Sequence, residues 1–241
     1  MKNVLITGGT SGIGLAAAKK FLKKNFNCML VGRDKNKFIK IKSELAGNFD
    51  FIAADVGKIS DCEKIVEYTK KIFGGIDILI NCAGIYTEGA ISQVTEKIFD
   101  EIFQTNVKGT FFMTRACIDE LIKNRGTIVN VASDAGLHGN YFCTVYAASK
   151  GAVIAFTKSL ALELANFPVR VNCVAPADIL TPLTETQLKI SGESIADLEK
   201  IYPMQRIGRA EEVAEAIYFL ATNHSSFITG EILKIDGGLT A

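Results

Sequence analysis

The chain has few of the residues that mark metal proteins or nucleic-acid-binding proteins. It contains only two histidines, and its six cysteines are scattered without a Cys-x-x-Cys pair. Since metal sites need clustered ligands, we expect no bound metal. Lysine and arginine number 27 against 26 aspartate and glutamate residues, a formal charge of +1. No broad positive field would therefore attract nucleic acid.

Long apolar runs are also missing. No segment reaches the ~18 continuous apolar residues of a membrane span. The stretch Met1–Ile6 leads straight into a short apolar run, without the long apolar region or the cleavage site of a signal peptide. We therefore expect a cytoplasmic protein with no membrane contact, whose cysteines are small buried hydrophobes.

Short apolar runs instead alternate with longer amphipathic stretches. Runs that are apolar throughout are typical of strands covered on both faces, and the stretches between them have helical spacing. This alternation predicts an α/β fold, a doubly wound, Rossmann-like parallel sheet of about seven strands with helices on both faces. The predicted strands are Val4–Thr7, Cys28–Val31, Phe51–Ala54, Ile78–Ile80, Ile128–Val131, Arg170–Val174 and Ile232–Ile235. The clearest helices are 14–24, 61–73, 99–123 and 147–166.

No linker or internal repeat interrupts the pattern, so residues 1–241 are interpreted as a single dinucleotide-binding and catalytic domain. One region, 177–209, follows a strand without a clear apolar run of its own. It is too long for an ordinary connection, and such segments are usually lids or binding loops. We expect a substrate lid there.

A glycine-rich loop follows the first predicted strand, from Thr7 to Gly14, and a helix follows the loop. Glycine lets the backbone approach a pyrophosphate, and the helix points its N–H groups and dipole at the anion. Alone, such a loop is a weak signal, and a tight strand–helix turn is the alternative. Its position between the first strand and the first helix favours a dinucleotide site.

The second strand ends in Gly32-Arg33-Asp34, where dinucleotide folds meet the adenosine ribose. A carboxylate there accepts the 2′-hydroxyl of NAD, whereas an arginine accommodates the 2′-phosphate of NADP. Asp34 could serve the ribose, but it is also a good helix N-cap. We therefore predict NADP(H) as the favoured cofactor, with NAD(H) possible.

Tyr146 and Lys150 lie four residues apart, which places them on one face of a helix. A tyrosine with a pKa of ~10 is a poor base at neutral pH. A nearby ammonium, helped by a cationic nicotinamide ring, favours the phenolate. Ser133 follows the fifth predicted strand, at the edge where open α/β sheets place their ligands. The Tyr-x-x-x-Lys pattern is common in helices, and only together with the glycine loop and Ser133 does it predict catalysis.

These motifs resemble, in order and over essentially the whole chain, those of the short-chain dehydrogenase/reductase superfamily in its ~250-residue single-domain form. Thr7–Gly14 resembles the TGxxxGxG cofactor loop, and Asp55-Val56 resembles the pair that touches the adenine. Residues 81–84 resemble the NNAG motif, with Cys82 in place of the second asparagine. Residues 176–181 resemble the PGxIxT segment at the nicotinamide, with Ala177 in place of glycine.

The resemblance implies an NAD(P)-dependent oxidoreductase that moves a hydride between the cofactor and a carbonyl or secondary alcohol. Tyr146 would be the general acid/base, and Lys150 would lower its pKa and bond the nicotinamide ribose. Ser133 would hold the substrate oxygen, and Asn106 would support a water linked to Lys150. The implied cofactor-binding residues are Gly8, Thr10, Ser11, Gly12, Ile13, Gly14, Arg33, Asp55, Val56, Asn81, Ala83, Gly84, Tyr146, Lys150, Pro176, Ile179 and Thr181.

The substrate stays open among 3-oxoacyl thioesters, sugars or polyols, steroids and secondary metabolites, because the fold does not choose among them. The pocket should be lined by 85–89, 134–143 and the loop after Thr181. Asp134 there either meets a polar substrate or caps the loop, and His138 either bonds a substrate group or faces solvent. A non-catalytic dinucleotide-binding redox sensor or scaffold is the alternative function, which the complete set of four catalytic positions disfavours.

A homo-oligomer, specifically a tetramer, is predicted from the resemblance and from two apolar stretches. The helix that carries Tyr146 is apolar on more than one face at 152–156 and 160–162, and the last strand with Leu239 is more apolar than an exposed edge. A twofold contact would bury both. The alternative is that residues after Pro203 cover these surfaces within one chain.

Overall fold

The computed structural model describes all 241 residues. The strands are β1 (Asn3–Thr7), β2 (Asn27–Gly32), β3 (Phe49–Ala53), β4 (Ile78–Asn81), β5 (Thr127–Val131), β6 (Arg170–Pro176), β7 (Ile179–Leu180), β8 (Gly208–Arg209) and β9 (Ile232–Ile235). The helices are α1 (Gly12–Lys23), α2 (Lys35–Ile41), α3 (Ile59–Phe73), α4 (Glu96–Phe103), α5 (Gly109–Asn124), α6 (Ala135–His138), α7 (Thr144–Leu164), α8 (Pro182–Ser191), α9 (Ile195–Glu199) and α10 (Ala210–Ala221).

Seven strands form one parallel sheet in the order β3-β2-β1-β4-β5-β6-β9. The predicted fold class is confirmed, and each predicted strand lies in this sheet. The chain order reverses between β1 and β4, and in open α/β sheets a ligand crevice lies beyond the carboxyl ends of the strands at such a point. The sheet therefore fixes where the functional site lies.

Each strand sends alternate side chains to the two faces of the sheet. From β1, Val4 and Ile6 enter a core under α1 and α10, where Phe21 and Ile217 are fully buried. Leu5 points to the opposite core, which α3, α5 and α7 cover. Because both faces are covered, the central strands are mostly apolar and buried, as the sequence pattern indicated.

The predicted helix 99–123 is one continuous helical stretch from Glu96 to Asn124, but a π-turn, Gln104–Lys108, separates α4 from α5. Such turns insert an extra residue into a helix and occur frequently at functional sites. Asn106 lies in the middle of this one and is buried.

The predicted lid region, 177–209, contains α8 and α9 between the short paired strands β7 and β8. A capping box of Ser194 and Asp197 starts α9. Leu198, Tyr202 and Ile207 form a small core of their own beneath it. The segment is thus more regular than the sequence pattern indicated. None of the helices in the chain combines the length and the apolar character that a bilayer crossing requires.

Candidate active site

A cleft of about 650 Å³ lies beyond the carboxyl ends of the sheet strands, from the end of β2 to α8. This volume is typical of small-molecule and cofactor sites. All the predicted cofactor-binding residues except Asn81 line it, and so do Ser133, Tyr146 and Lys150. The fold thus brings together residues that are far apart in the sequence.

The glycine loop forms the floor of the cleft at the start of α1. A Cβ at Gly14 would lie 2.3 Å from the carbonyl oxygen of Gly8, so only glycine allows the helix to begin this close to the loop. No side chain caps the first turn of α1, since Ser11 at the N-cap position makes no capping bond. Free N–H groups at a helix N-terminus bind anions such as a pyrophosphate. This end of the cleft therefore fits a dinucleotide.

Thr7 joins the loop to the neighbouring strand. Its hydroxyl oxygen accepts hydrogen bonds from the N–H groups of Cys82 and Ala83, both at 3.0 Å. These bonds hold residues 82–84 at the cleft wall. No sequence motif had assigned this role to Thr7.

At the outer end of the cleft, Arg33 and Lys37 line the wall. Asp34 accepts hydrogen bonds from the backbone N–H groups of Asn36 and Lys37 and so caps α2. Of the two roles considered for Asp34, the structure thus shows the helix cap. The sequence analysis did not include Lys37 among the cofactor-binding residues. Its position four residues after Arg33, the spacing of one helical turn, could have indicated it.

Asn81 requires a correction, because its side chain does not reach the cleft. It is 3% exposed, and its amide donates to Thr114 Oγ1 at 3.0 Å and to Asn130 Oδ1 at 2.9 Å. The side chain therefore ties β4 to α5 and β5. The residues after it, and not Asn81 itself, line the site.

Tyr146 and Lys150 lie one turn apart on α7, and both are buried. The Lys150 ammonium donates to the carbonyl oxygen of Val131 at 2.9 Å and lies 5.7 Å from the centre of the Tyr146 ring. Ser133, at the end of β5, lines the same cleft, and its hydroxyl is close enough to lower the pKa of Tyr146. Three of the four predicted catalytic residues thus line one end of the cleft.

Asn106 lies behind the cleft wall. Its amide donates to the carbonyl of Ile85 and to Ser149 Oγ, both at 3.0 Å, and its Oδ1 accepts from the N–H of Ile85 at 2.9 Å. The π-turn therefore clamps the loop after β4 to α7. This side chain stabilises the site and does not line it.

Burial dominates the pKa values of the two buried groups. It raises the pKa of Tyr146, the Ser133 hydroxyl opposes that rise, and the nearby charge of Asp134 adds to it. Burial also lowers the pKa of Lys150. That Lys150 and a cationic nicotinamide ring together lower the pKa of Tyr146 stays a prediction.

Tyr86 packs against the catalytic tyrosine. The two rings meet edge to face, with centroids 4.9 Å apart. The Tyr86 hydroxyl donates to Glu88 Oε2 at 2.8 Å and lies 3.2 Å from the sulfur of Cys143. Tyr86 belongs to the predicted lining segment 85–89, but sequence reasoning did not single it out.

The segment after β6 borders the same pocket. Ala177, which replaces a glycine of the family motif, is not among the residues with positive φ, and its N–H donates to the carbonyl of Ile235. The substitution therefore introduces no backbone strain. Asp178 accepts a hydrogen bond from the hydroxyl of Tyr202 at 2.8 Å, and burial raises its pKa.

Asp134 follows Ser133 and is 7% exposed. Its Oδ1 accepts from the N–H of Ala135 at 2.8 Å, which is the capping role weighed for it from the sequence. It also lines the cleft. His138 lies one turn further along α6, partly exposed.

Comparison with known proteins gives consistent matches along the chain. A family described as enoyl-(acyl carrier protein) reductase matches residues 8–240. The 3-oxoacyl-[acyl-carrier-protein] reductase FabG of Thermotoga maritima is 39% identical, over 99% of this chain and 97% of its own. The structure of ElxO with NADP bound has a TM-score of 0.92 and 35% identity, and it covers 99% of this chain and 98% of that one. A 3-ketoacyl-(acyl-carrier-protein) reductase from Brucella melitensis, complexed with NADH, has a TM-score of 0.93 and 35% identity, over 100% and 98% of the two chains.

Proposed function

This chain belongs to the short-chain dehydrogenase/reductase superfamily and is an NAD(P)-dependent oxidoreductase, and from that premise we propose that it interconverts a secondary alcohol and a carbonyl with Tyr146 as its general acid/base. The observation that carries the proposal is the meeting of Tyr146, Ser133 and Lys150 at one end of a cleft whose other end fits a dinucleotide. A protein that only binds dinucleotides has no use for this arrangement.

Each of the four predicted catalytic residues has a separate proposed role. The nicotinamide ring, when bound, gives or takes the hydride. Ser133 holds the substrate oxygen by a hydrogen bond, and Tyr146 exchanges a proton with that oxygen. Lys150 orients the cofactor ribose and the phenol, and Asn106 keeps the loop after β4 in place through Ile85 and Ser149.

We propose that NADP(H) is favoured over NAD(H). Arg33 and Lys37 both line the outer end of the cleft, and two cations suit a 2′-phosphate. Asp34 lines it as well, with its Oδ1 capping α2. The two cations outnumber this single carboxylate, which favours the 2′-phosphate of NADP over the 2′-hydroxyl of NAD.

We also propose that 177–209 acts as a lid over an uncharged substrate. Leu183, Thr186 and Gln187 of α8 line the cleft. Two carboxylates, Asp134 and Asp178, line the same half of it, with Lys150 as the cation. Negatively charged substrates are therefore disfavoured beside the reaction centre, which agrees with a neutral carbonyl or alcohol.

For the assembly we propose a homotetramer, and for its location the cytoplasm. The support for an assembly is an aromatic face, defined here as Phe99, Phe103, Phe111, Phe112 and Phe156. Phe99 and Phe111 are 46% and 47% exposed, and contiguous exposed apolar surface commonly marks an interface. The six cysteines are all unpaired, which suits a reducing compartment.

The experiment is a panel of ketones, aldehydes and secondary alcohols assayed at 340 nm with each cofactor in both directions. The panel includes an acetoacetyl thioester, sugars, polyols and simple cyclic ketones. We expect turnover of at least one uncharged substrate class with a nicotinamide cofactor. Binding of the cofactor without any turnover across the panel would contradict the proposal and favour a sensor.

A further inference from the structure

Asp178 borders two cavities, the cleft and a smaller cavity of about 180 Å³. Tyr202 lines the smaller cavity but not the cleft. Its hydroxyl donates to Asp178 Oδ2 at 2.8 Å and accepts from the Asp178 N–H at 3.1 Å. Because Tyr202 holds Oδ2 on the side of the smaller cavity, Oδ1 is the carboxylate oxygen left on the side of the cleft.

The backbone around Asp178 is fixed by hydrogen bonds. Its carbonyl accepts from the N–H of Gly208 at 2.9 Å, where β7 pairs with β8. The N–H of Ala177 donates to the carbonyl of Ile235 at 3.1 Å. Tyr202, which holds the side chain, is itself only 3% exposed. The carboxylate is therefore in place before a substrate binds, which lowers the cost of recognition.

The Asp178 carboxylate lies at the same end of the cleft as the catalytic side chains. The N–H of Asp134 donates to the carbonyl of Pro176 at 3.0 Å, and this bond joins the segment after Ser133 to the segment that carries Asp178. Ser133, Tyr146 and Asp178 all line the cleft. Burial raises the pKa of Tyr146, and the charges of Asp134 and Asp178 add to the rise. A substrate group next to the reacting carbon would therefore meet Asp178.

The other carboxylate at this end, Asp134, has partners for both of its oxygens. Its Oδ1 accepts from Ser133 Oγ at 2.9 Å and from the N–H of Ala135 at 2.8 Å. Its Oδ2 lies 3.3 Å from His138 Nε2. Asp134 is therefore occupied within the chain, and Asp178 is the carboxylate that can accept a hydrogen bond from a substrate.

Asp178 is half-buried and has no cationic partner. Burial raises its pKa, the Tyr202 hydroxyl opposes that rise, and the nearby Gln187, which also lines the cleft, opposes it as well. An acceptor that loses water without gaining a donor costs free energy, so an aliphatic substrate chain would be disfavoured here. A negatively charged group would be repelled. A hydrogen-bond donor on the substrate satisfies the carboxylate.

We propose that Asp178 selects substrates that carry a second hydroxyl next to the reacting carbon, namely polyols, hydroxyketones and sugars. That hydroxyl donates to Asp178 Oδ1, while Ser133 and Tyr146 bond the reacting oxygen. Lys150 and an oxidised nicotinamide ring are both cationic at this end, so a neutral hydroxyl suits the site better than an ammonium group. This inference rests on the proposed function and narrows its substrate class.

The test compares alcohols that differ only in the group beside the carbinol. Butan-2-ol carries a methyl group where propane-1,2-diol carries a hydroxyl and 1-aminopropan-2-ol an ammonium. Cyclohexanol with cyclohexane-1,2-diol, and sorbitol, extend the comparison to larger substrates. We expect kcat/KM for hydroxylated substrates to exceed that for their matched monoalcohols by roughly 10- to 100-fold, the range for a hydrogen bond to a charged group. The aminoalcohol should be poorer than the diol.

Asp178→Asn tests the carboxylate itself, because an asparagine oxygen can still accept from Tyr202 and hold the segment 177–209. We expect the ratio of kcat/KM for diol over monoalcohol to fall about tenfold or more. Using a ratio within one enzyme cancels any effect of the variant on Tyr146.

Two control variants separate substrate binding from other roles of Asp178. Tyr202→Phe removes the hydroxyl that holds Oδ2 but leaves the carboxylate, so most of the preference for diols should remain. Asp236→Asn removes a carboxylate that lines only the smaller cavity, so the preference should be unchanged.

An equal loss of preference in Asp178→Asn and Tyr202→Phe would overturn the inference, because Asp178 would then act only through the segment 177–209. An equal loss in Asp236→Asn would overturn it as well. So would a wild-type enzyme that uses monoalcohols, the aminoalcohol or an acetoacetyl thioester as well as it uses any hydroxylated substrate. Absence of turnover with every compound would instead count against the proposed function, so the two failures are distinguishable.

Discussion

A single oxygen atom distinguishes Tyr146 from phenylalanine, and the proposed chemistry depends on it. In Tyr146→Phe we expect kcat to fall by ~10²–10⁴-fold, the usual contribution of a general acid/base. Cofactor affinity should change little, because most of the cleft lining that we propose for the dinucleotide lies at the glycine loop and the outer end. Steady-state kinetics together with cofactor titration check this. Retention of more than about a tenth of the wild-type kcat would contradict the assignment.

Burial of the Tyr146 phenol predicts how the rates of carbonyl reduction and alcohol oxidation depend on pH. Burial raises the pKa of Tyr146, so the protonated form persists well above neutral pH. Carbonyl reduction uses the phenol and should stay level as the pH rises, whereas alcohol oxidation uses the phenolate and should accelerate toward pH ~10. Profiles of kcat/KM in both directions test the sign. If the oxidation rate were level from pH ~6 upward, the positive charge of the bound cofactor would lower the pKa of Tyr146 by more than burial raises it.

The proposed cofactor preference depends on side chains at the outer end of the cleft. Arg33→Ala should lower the ratio of kcat/KM for NADP(H) over NAD(H) by about one to two decades, since a charge-assisted hydrogen bond contributes ~1.5–3 kcal/mol. Lys37→Ala should change the ratio in the same direction. Lys40→Ala is the matched control, because Lys40 is on the same helix but does not line the cleft. A wild-type enzyme that prefers NAD(H) would refute the proposal.

At the residue scale, the sequence predicted which motifs approach one another but not which way each side chain points. Asn81 belongs to a motif at the cleft, yet its amide turns into the protein because Thr114 and Asn130 offer it buried partners. Lys37 belongs to no motif and still reaches the site, because α2 begins at Lys35, two residues after Arg33. Such orientations depend on neighbours that are distant in the sequence.

At the scale of elements, α6 packs against α7. This contact holds the segment after Ser133 beside the helix that carries Tyr146 and Lys150. Gly136 and Gly151 face each other there, but only one of them is crowded. A Cβ at Gly136 would lie 2.7 Å from the backbone of Lys150 and Gly151, whereas a Cβ at Gly151 would lie an ordinary 3.5 Å from the oxygen of Gly136. Alanine at Gly151 is therefore a matched control for alanine at Gly136.

Gly136→Ala should force α6 away from α7 and lower the free energy of unfolding by ~1–3 kcal/mol, as overpacking does. Its kcat should also fall, because α6 follows directly after Ser133. Gly151→Ala should be tolerated, with up to ~1 kcal/mol of gain from helix propensity. Urea unfolding and steady-state kinetics on both variants check this. Equal stability of the two proteins would mean that the contact between the helices is looser than described.

Regular elements with long apolar patterns were predictable, and short polar ones were not. The central strands are mostly apolar because helices cover both faces, and that pattern is local to each strand. The edge strands β3 and β9 are only half-buried and carry Asp50 and Lys234. The two helices of the 177–209 segment bury few side chains, with Thr184 and Leu198 as their only buried residues, so they leave little periodicity in the sequence. The π-turn around Asn106 has no sequence signature, because its geometry comes from the bonds of Asn106 with Ile85 and Ser149.

At the scale of the whole molecule, only part of the apolar surface predicted to form a contact between copies stays exposed. Part of the apolar stretch on α7 faces the chain's own core, since Val153, Ile154, Leu160 and Ala161 are buried. Leu239 likewise packs against the core formed by Leu198, Tyr202 and Ile207. These residues are covered within one chain, but residues after Pro203 account for only part of that cover. Ile232 packs against the small core that contains Val153 and Ile154, whereas Leu160 and Ala161 lie in the core under α3 and α5. Leu162 remains 82% exposed, and Phe99 and Phe111 of the aromatic face are exposed, while its other three residues are half-buried.

Self-association through the aromatic face is therefore the prediction at this scale. Phe111 is close to its centre, 5.2 Å from Phe156, and Ala155 is exposed beside it on α7. A charge at either position would have to be desolvated in a twofold contact, so Phe111→Asp and Ala155→Glu should reduce the assembly to smaller species. Ile39→Asp is the control, because Ile39 is 58% exposed on α2, away from this face. Size-exclusion chromatography with light scattering measures the masses. The wild type should run at about four times the 26.1 kDa monomer mass, and a wild-type monomer at micromolar concentration would overturn the prediction.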